Sequence, residues 1–294
     1  MRIPVAIMLP MLLSAADFPI DHVTVAGSDV HKLQAGLAAV GIPSVYGGAH
    51  NNKTTEMALV SLPDGAYLEL MGLQQGADPR LVDQHVWAKF LKADAGPCAW
   101  ALRAPNLAAE VQRLKTAGIE VSAPVASGRE RPDGVRLNWE TSDIGSDVRG
   151  TFFPFLIHDL TPRDQRAFPQ GKPGTLDFRK ITRVVIAVRD LDAAISRYRH
   201  AFAVAAAVQQ VDEAFGGRIA VFDGAPVVLA QPLAADSWLA ARLAQFGEAP
   251  CAFVLGAARP DRYQGSTKSR WSGADISWFD AEKLGWRLGF EWAP

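Results

Sequence analysis

Asp64-Gly65-Ala66 and Pro97-Cys98-Ala99-Trp100 return later in the chain as Asp223-Gly224-Ala225 and Pro250-Cys251-Ala252-Phe253. Ahead of each pair runs a matching stretch, Val23-Thr24-Val25-Ala26 through Asp29-Val30 in the first case and Val184-Val185-Ile186-Ala187 through Asp190-Leu191 in the second. Landmarks that recur in the same order within 294 residues point to a duplicated unit. The copies can therefore be compared position by position. Polar groups present in only one of them mark where chemistry is to be sought.

Each copy divides again. Asp21 to Ala26 alternates polar and apolar residues, the period of a half-buried strand. Asp29 is a helix cap, Leu33 and Leu37 share a helical face, and Gly41 closes the helix. Strands are expected at 44–46, 56–62 and 66–73, the last after the Pro63-Asp64-Gly65 turn. The unit is βαβββ. A second one follows, with a strand from Cys98, a helix capped by Asn106 and stopped by Gly118, a strand at 120–125 and, after the Pro132-Asp133-Gly134 turn, strands at 135–141 and 151–157. Residues 181–233 form a third unit and 250–292 a shorter, degraded fourth. The fold class is α+β, four tandem βαβββ modules paired into an N-terminal domain over residues 17–162 and a C-terminal domain over 181–294. The proline-, glycine- and charge-rich stretch 163–180 reads as the linker.

Composition bounds the function. With 49% hydrophobic and 21% charged residues the chain is globular, and 30 basic against 31 acidic residues leave no field to draw in nucleic acid or an anionic membrane. The expected partner is a small molecule; the sequence does not fix the oligomeric state. Arg2, the apolar run from Ile3 to Leu13 and Ser14-Ala15-Ala16 read as a signal peptide over residues 1–16. Cleavage would make the protein exported, periplasmic or extracellular, without a membrane span in its mature form; without cleavage it would be cytoplasmic. A buried first strand or short anchor is the alternative. Cys98 and Cys251 occupy equivalent apolar strands and read as buried thiols rather than a disulfide. No phosphate-binding glycine loop, Rossmann glycine set or nucleophile elbow occurs.

Four tandem βαβββ modules, together with Asp21-His22-Val23, Tyr46-Gly47-Gly48-Ala49-His50 and Asp64-Gly65-Ala66-Tyr67-Leu68-Glu69-Leu70, resemble the vicinal oxygen chelate superfamily, and within it the glyoxalase-like branch. The resemblance implies that two modules curl into a cup, with the ligand on its concave face. It also implies a divalent metal held by a first-strand His and a last-strand Glu from each module, without choosing among Zn, Fe, Mn and Ni.

Strand phase then sorts the residues. Val23 and Val25 take the helix side, so His22 and Thr24 face the cup, and Leu68 and Leu70 leave Tyr67 and Glu69 on the same concave side. His22 and Glu69 match the family's ligand positions and are the expected catalytic pair. The second module breaks the pattern, since Ala99 stands where a His would and Pro154 aligns with Glu69. A metal therefore requires a third ligand from His50 or His158. His50 could equally be a solvated turn residue, and His158 a surface residue at a strand end. Thr24, Tyr67, Ala99 and Trp100 are the expected substrate-binding positions, although a Trp in such a strand is more often core. In the second copy Arg183 replaces His22 and Val228 replaces Glu69, while Trp271, Trp278, Trp286 and Trp292 crowd its end. They are expected to fill that cup or the domain interface, leaving the second half as scaffold. Two functions follow: a metal-dependent lyase, isomerase or ring-opening enzyme acting on a small oxygenated molecule, or a metal-free protein of the same fold that binds or sequesters one.

Overall fold

The computed structural model describes residues 19–293, so the leader expected over residues 1–16 lies outside the described residues. The first module runs β1 (Ile20–Ala26), α1 (Val30–Ala39), β2 (Val45–Ala49), β3 (Thr55–Ser61) and β4 (Tyr67–Leu73). Two short helices, α2 (Pro79–Gln84) and α3 (Ala88–Lys92), lead into the second: β5 (Gly96–Arg103), α4 (Leu107–Thr116), β6 (Val125–Glu130), β7 (Arg136–Ser142) and β8 (Phe155–Asp159). These eight strands form one sheet in the order β2-β3-β4-β1-β5-β8-β7-β6.

After α5 (Arg163–Ala167) the pattern repeats. β9 (Phe178–Ala187), α6 (Leu191–Phe202), β10 (Ala207–Asp212), β11 (Gly217–Phe222) and β12 (Val227–Pro232) form the third module, and α7 (Trp238–Phe246) leads to the fourth. There β13 (Pro250–Ala257), β14 (Thr267–Trp271), β15 (Ala274–Trp278) and β16 (Arg287–Trp292) complete a second eight-stranded sheet in the equivalent order. A single 3-10 turn at Pro260–Arg262 replaces the fourth crossover helix, and α8 (Ala281–Leu284) precedes β16.

Local chemistry sets these elements. The carboxylates of Asp29 and Asp190 accept from the backbone N–H of His31 and Ala193, and Asn106 accepts from Ala109, so each crossover helix starts on a side-chain cap. In each sheet the middle pair, β1 with β5 and β9 with β13, is antiparallel. The last strand of each module returns parallel to its first. The helix-facing residues of both sheets, from Val23, Leu68 and Trp100 to Val184, Tyr198 and Phe253, form one apolar core between the two halves.

Two strand expectations shift. The Pro132-Asp133-Gly134 turn, with Gly134 at φ +83, pairs Glu130 with Arg136, so the strand forms at Val125–Glu130, while Val121 makes only an isolated bridge to Ile144. Thr151 to Phe153 does not extend as strand, because Phe152 and Phe153 turn into the helix layer against Tyr198 and Phe202. Trp271 and Trp278 do fill the second cup, and Trp286 packs at the interface against Gly96, but Trp292 is 66% exposed. The 163–180 stretch carries α5 and opens β9.

Candidate functional site

The concave face of the first sheet encloses a cavity of about 350 Å³, at the small end of ligand clefts. Its walls include Met57, Tyr67, Met71, Trp87, Trp139 and Phe155. Strand phase places the polar groups as expected: Leu68 and Leu70 join the helix-side core, while Tyr67, Glu69 and Met71 line the cavity. His22 and Thr24 stand opposite Tyr67 and Glu69 in the parallel β1–β4 register.

Glu69 is the only carboxylate among the described lining residues. The Thr24 hydroxyl donates to its Oε2 at 3.2 Å. His22 Nε2 lies 3.8 Å from Oε2, and His50 Nε2 lies 3.8 Å from Oε1. Both imidazoles are held from behind, with Asp21 Oδ1 2.6 Å from His22 Nδ1 and Thr55 Oγ1 2.8 Å from His50 Nδ1. An ionised Asp21 can only accept, so Nδ1 of His22 carries a proton toward it and Nε2 is the ring nitrogen turned to Glu69. A ring nitrogen and a carboxylate oxygen thus face each other across a gap of 3.8 Å, which a shared proton or a cation could bridge. The Tyr67 ring stacks on His22 at 5.0 Å, which fixes the plane of the imidazole.

Asp21 owes its place to a β-bulge. The β1–β5 register slips between Ile20 and His22, so Asp21 is the extra residue and leaves strict alternation. Its carboxylate is fully buried and accepts from Arg166 Nη1 at 3.0 Å and Nη2 at 2.7 Å, and also from Arg163. Arg166 further donates to Tyr67 and Asp159. Burial works to raise the Asp21 carboxyl, but Arg166, the His22 hydrogen bond and Arg163 hold it well below the usual carboxylate range. Burial pushes the His50 imidazole down, with Arg129 adding to the effect and Glu69 opposing it. His85, at the cavity wall, is lowered by burial and by His50.

The other expected site residues part company with this cluster. His158 shares its face of β8 with Leu156, which packs in the helix-side core, while Phe155 and Ile157 line the cavity, so His158 is not brought to Glu69. Trp100 is wholly buried in the same helix-side core. Ala99 lies on the cup side beneath the cavity, fully buried beside Ala101. Val23 pairs with Trp100 at the sheet's centre, so the two-fold turn about that pair carries His22 to Ala99 and Thr24 to Ala101. Ala101 stands opposite Phe155 as Thr24 stands opposite Glu69, so Phe155, not Pro154, replaces the acid. Both second-module ligand positions are therefore apolar.

Asp21, His85, Arg129, Arg149 and Arg166 belong to the site and were missed. Asp21 opens the Asp21-His22-Val23 motif, but nothing in one strand's alternation announces a bulge. Arg166 looked like linker charge. The donor types present, two imidazoles and a carboxylate, suit a divalent transition ion, with Asp21 and Thr55 orienting the imidazoles as outer partners do. Among the described residues no three His, Cys, Asp or Glu side chains are already gathered on one point. Ligands on a common ion lie about 3–3.4 Å apart, so the 3.8 Å gaps are slightly open. In the second cup Arg183 instead forms an ion pair with Glu291 at 3.1 Å, and Phe215, Trp271 and Trp278 fill the space. A larger groove of about 740 Å³, which includes Asp64, Arg103 and Lys180, has no histidine in its lining. No described helix is long and apolar enough to cross a membrane.

With this geometry in place, comparison with known proteins places the chain. The structure of a hypothetical protein from Staphylococcus aureus superposes with a TM-score of 0.65 at 14% identity, over 94% of this chain and 100% of that one. A variant of 4-hydroxymandelate synthase from Streptomyces coelicolor gives a TM-score of 0.60 at 14% identity, over 94% and 92%. Methylmalonyl-CoA epimerase from Mycobacterium tuberculosis, 21% identical, covers 41% of this chain and 92% of its own, with a TM-score of 0.36. The first two likenesses show the shared fold. A search of curated proteins gives no match. The sequence model of the glyoxalase-like domain matches residues 20–202, more than half of the chain. The chain therefore belongs to the glyoxalase-like domain family and carries the vicinal oxygen chelate fold.

Proposed function

We propose that the protein is a metal-dependent lyase or isomerase, or a ring-opening enzyme, acting on a small oxygenated molecule in the N-terminal cavity. The observation behind this reading is the pair of imidazole Nε2 atoms facing opposite oxygens of one buried carboxylate. His22, His50 and Glu69 would hold the ion. A divalent ion bound there supplies Lewis acidity toward adjacent substrate oxygens. Glu69, the cavity's one carboxylate, is the group to accept a proton from a carbon beside a carbonyl and to return it to that carbon or its neighbour. Such a transfer balances without a co-reactant. Thr24 keeps one Glu69 oxygen oriented, and Tyr67, Trp139 and Phe155 are among the walls of the space beside it.

Elemental analysis after reconstitution with Zn, Fe(II), Mn or Ni is the test. Stoichiometric metal is expected in the wild type and its loss in His22→Ala and Glu69→Gln. A wild type that takes up none of the four overturns the metal reading. Metal-free binding of a small molecule, which the apolar Ala99 and Phe155 positions favour, would then stand in its place. We further propose export: intact-mass measurement of protein recovered from the producing cell should show a chain starting at Asp17, and a retained leader would overturn that.

A further inference from the structure

Three arginines line the catalytic cavity, and they are not equivalent. Arg166 is spent on Asp21, Asp159 and Tyr67. Arg149 pairs with Asp143 at 3.4 Å and lies over the Phe155 ring at 4.1 Å. Arg129 has no carboxylate within ion-pair distance among the described residues, although it is only 4% exposed. Its one hydrogen bond to protein runs from Nη1 to the Gly47 carbonyl at 3.0 Å. That bond joins β6 to β2, the two outermost strands of the sheet, so Arg129 spans the mouth of the curl. A strap of this kind uses one N–H, and a guanidinium carries five.

Glu69 acts on Arg129 only through space, and a buried cation with no carboxylate in contact is unfavourable until an anion completes it. The planar guanidinium fork matches a carboxylate through paired, charge-assisted hydrogen bonds. We propose that Arg129 anchors a carboxylate on the cavity's ligand, so that the substrate class is small carboxylic acids carrying a second oxygen toward Glu69 and the two histidines. This rests on the cavity being the functional site proposed above. The volume of about 350 Å³ and the walls of Trp87, Trp139 and Phe155 suit an acid with an unsaturated or aromatic body.

Calorimetric titration of the EDTA-treated full chain with benzoate, benzamide and inorganic phosphate at neutral pH tests the anchor separately from the metal. Benzoate should bind and benzamide should bind about tenfold more weakly or worse, the scale of a charge-assisted pair. Arg129→Lys should keep the strap and the melting temperature yet weaken benzoate by a similar factor, and Arg129→Met should abolish its binding. Equal affinity for benzoate and benzamide, unchanged benzoate affinity in both variants, tighter binding of phosphate, or no benzoate binding by the wild type each overturns the proposal. Because the protein is stripped of metal, failure of metal reconstitution leaves this outcome intact. Loss of benzoate binding in turn leaves the metal test standing.

Discussion

Asp21 concentrates the energetics of the site in one side chain. It is wholly buried, it orients His22, and it is the counter-ion of Arg166 and Arg163. Removing one member of such a network strands the others, at a cost of about 3–5 kcal/mol. Asp21→Asn should therefore lose about that much stability in urea unfolding, and an unchanged midpoint would contradict the network's role. The sign with pH is set by the depressed carboxyl. Its stabilisation is complete above the ordinary Asp value of about 3.9 and is lost only as pH falls through the lower folded-state value. The wild-type advantage over Asp21→Asn should hold steady from neutral pH to about pH 5, still above that ordinary value, and shrink only in stronger acid. At this scale His22, Thr24, Tyr67 and Glu69 were legible because a strand's period of two assigns faces from sequence alone. Asp21 was not, since a bulge is visible only against its partner strand. Nor was Arg129, whose meaning lies in the curl that brings the sheet's two edges together.

Among the elements, β5 carries the most constraint. It is the hinge of the pseudo-two-fold, and its first residue, Gly96, sits at φ +70 against the Trp286 side chain of the other half. An added Cβ would stand 2.4 Å from Trp286 Cβ. Gly96→Ala should thus combine a left-handed backbone cost of about 1–2 kcal/mol with an overpacking cost of about 1–3 kcal/mol. Gly96→Ala combined with Trp286→Gly, which removes the clashing Cβ, should recover only the packing share, which a double-mutant cycle in denaturant would measure; full additivity would show that the two residues do not meet in solution. The helix starts at Asp29 and Asn106 and their glycine stops were readable from local chemistry. The positions of β6 and β8 were not, because turn geometry and aromatic burial outside the strands chose them. Arg166 was hidden for a related reason: composition marks a stretch as linker, while its fold back onto β1 depends on a partner some 145 residues away in sequence.

On the scale of the whole molecule, the cavity lies entirely in the first half, yet that half is not self-sufficient. One apolar core runs through both, with Phe152 and Phe153 packed on Tyr198 and Phe202. The Tyr198 hydroxyl donates to the Phe152 carbonyl, and Arg113 donates to the Ala201 carbonyl at 3.0 Å. Arg242 of α7 adds a bridge, donating to the Ala95 and Pro250 carbonyls at 2.7 Å each. The second half, with its ligand positions replaced and its cup filled by tryptophans, serves the first by covering the helix layer. Cutting the chain after Asp177 would expose that layer as a contiguous apolar surface of the kind that drives association. A chain of residues 17–177 should therefore aggregate in size-exclusion chromatography, while the full chain unfolds in a single calorimetric transition. A monodisperse, cooperatively melting fragment would show instead that the duplicated halves fold independently and that the shared core is only a contact between them.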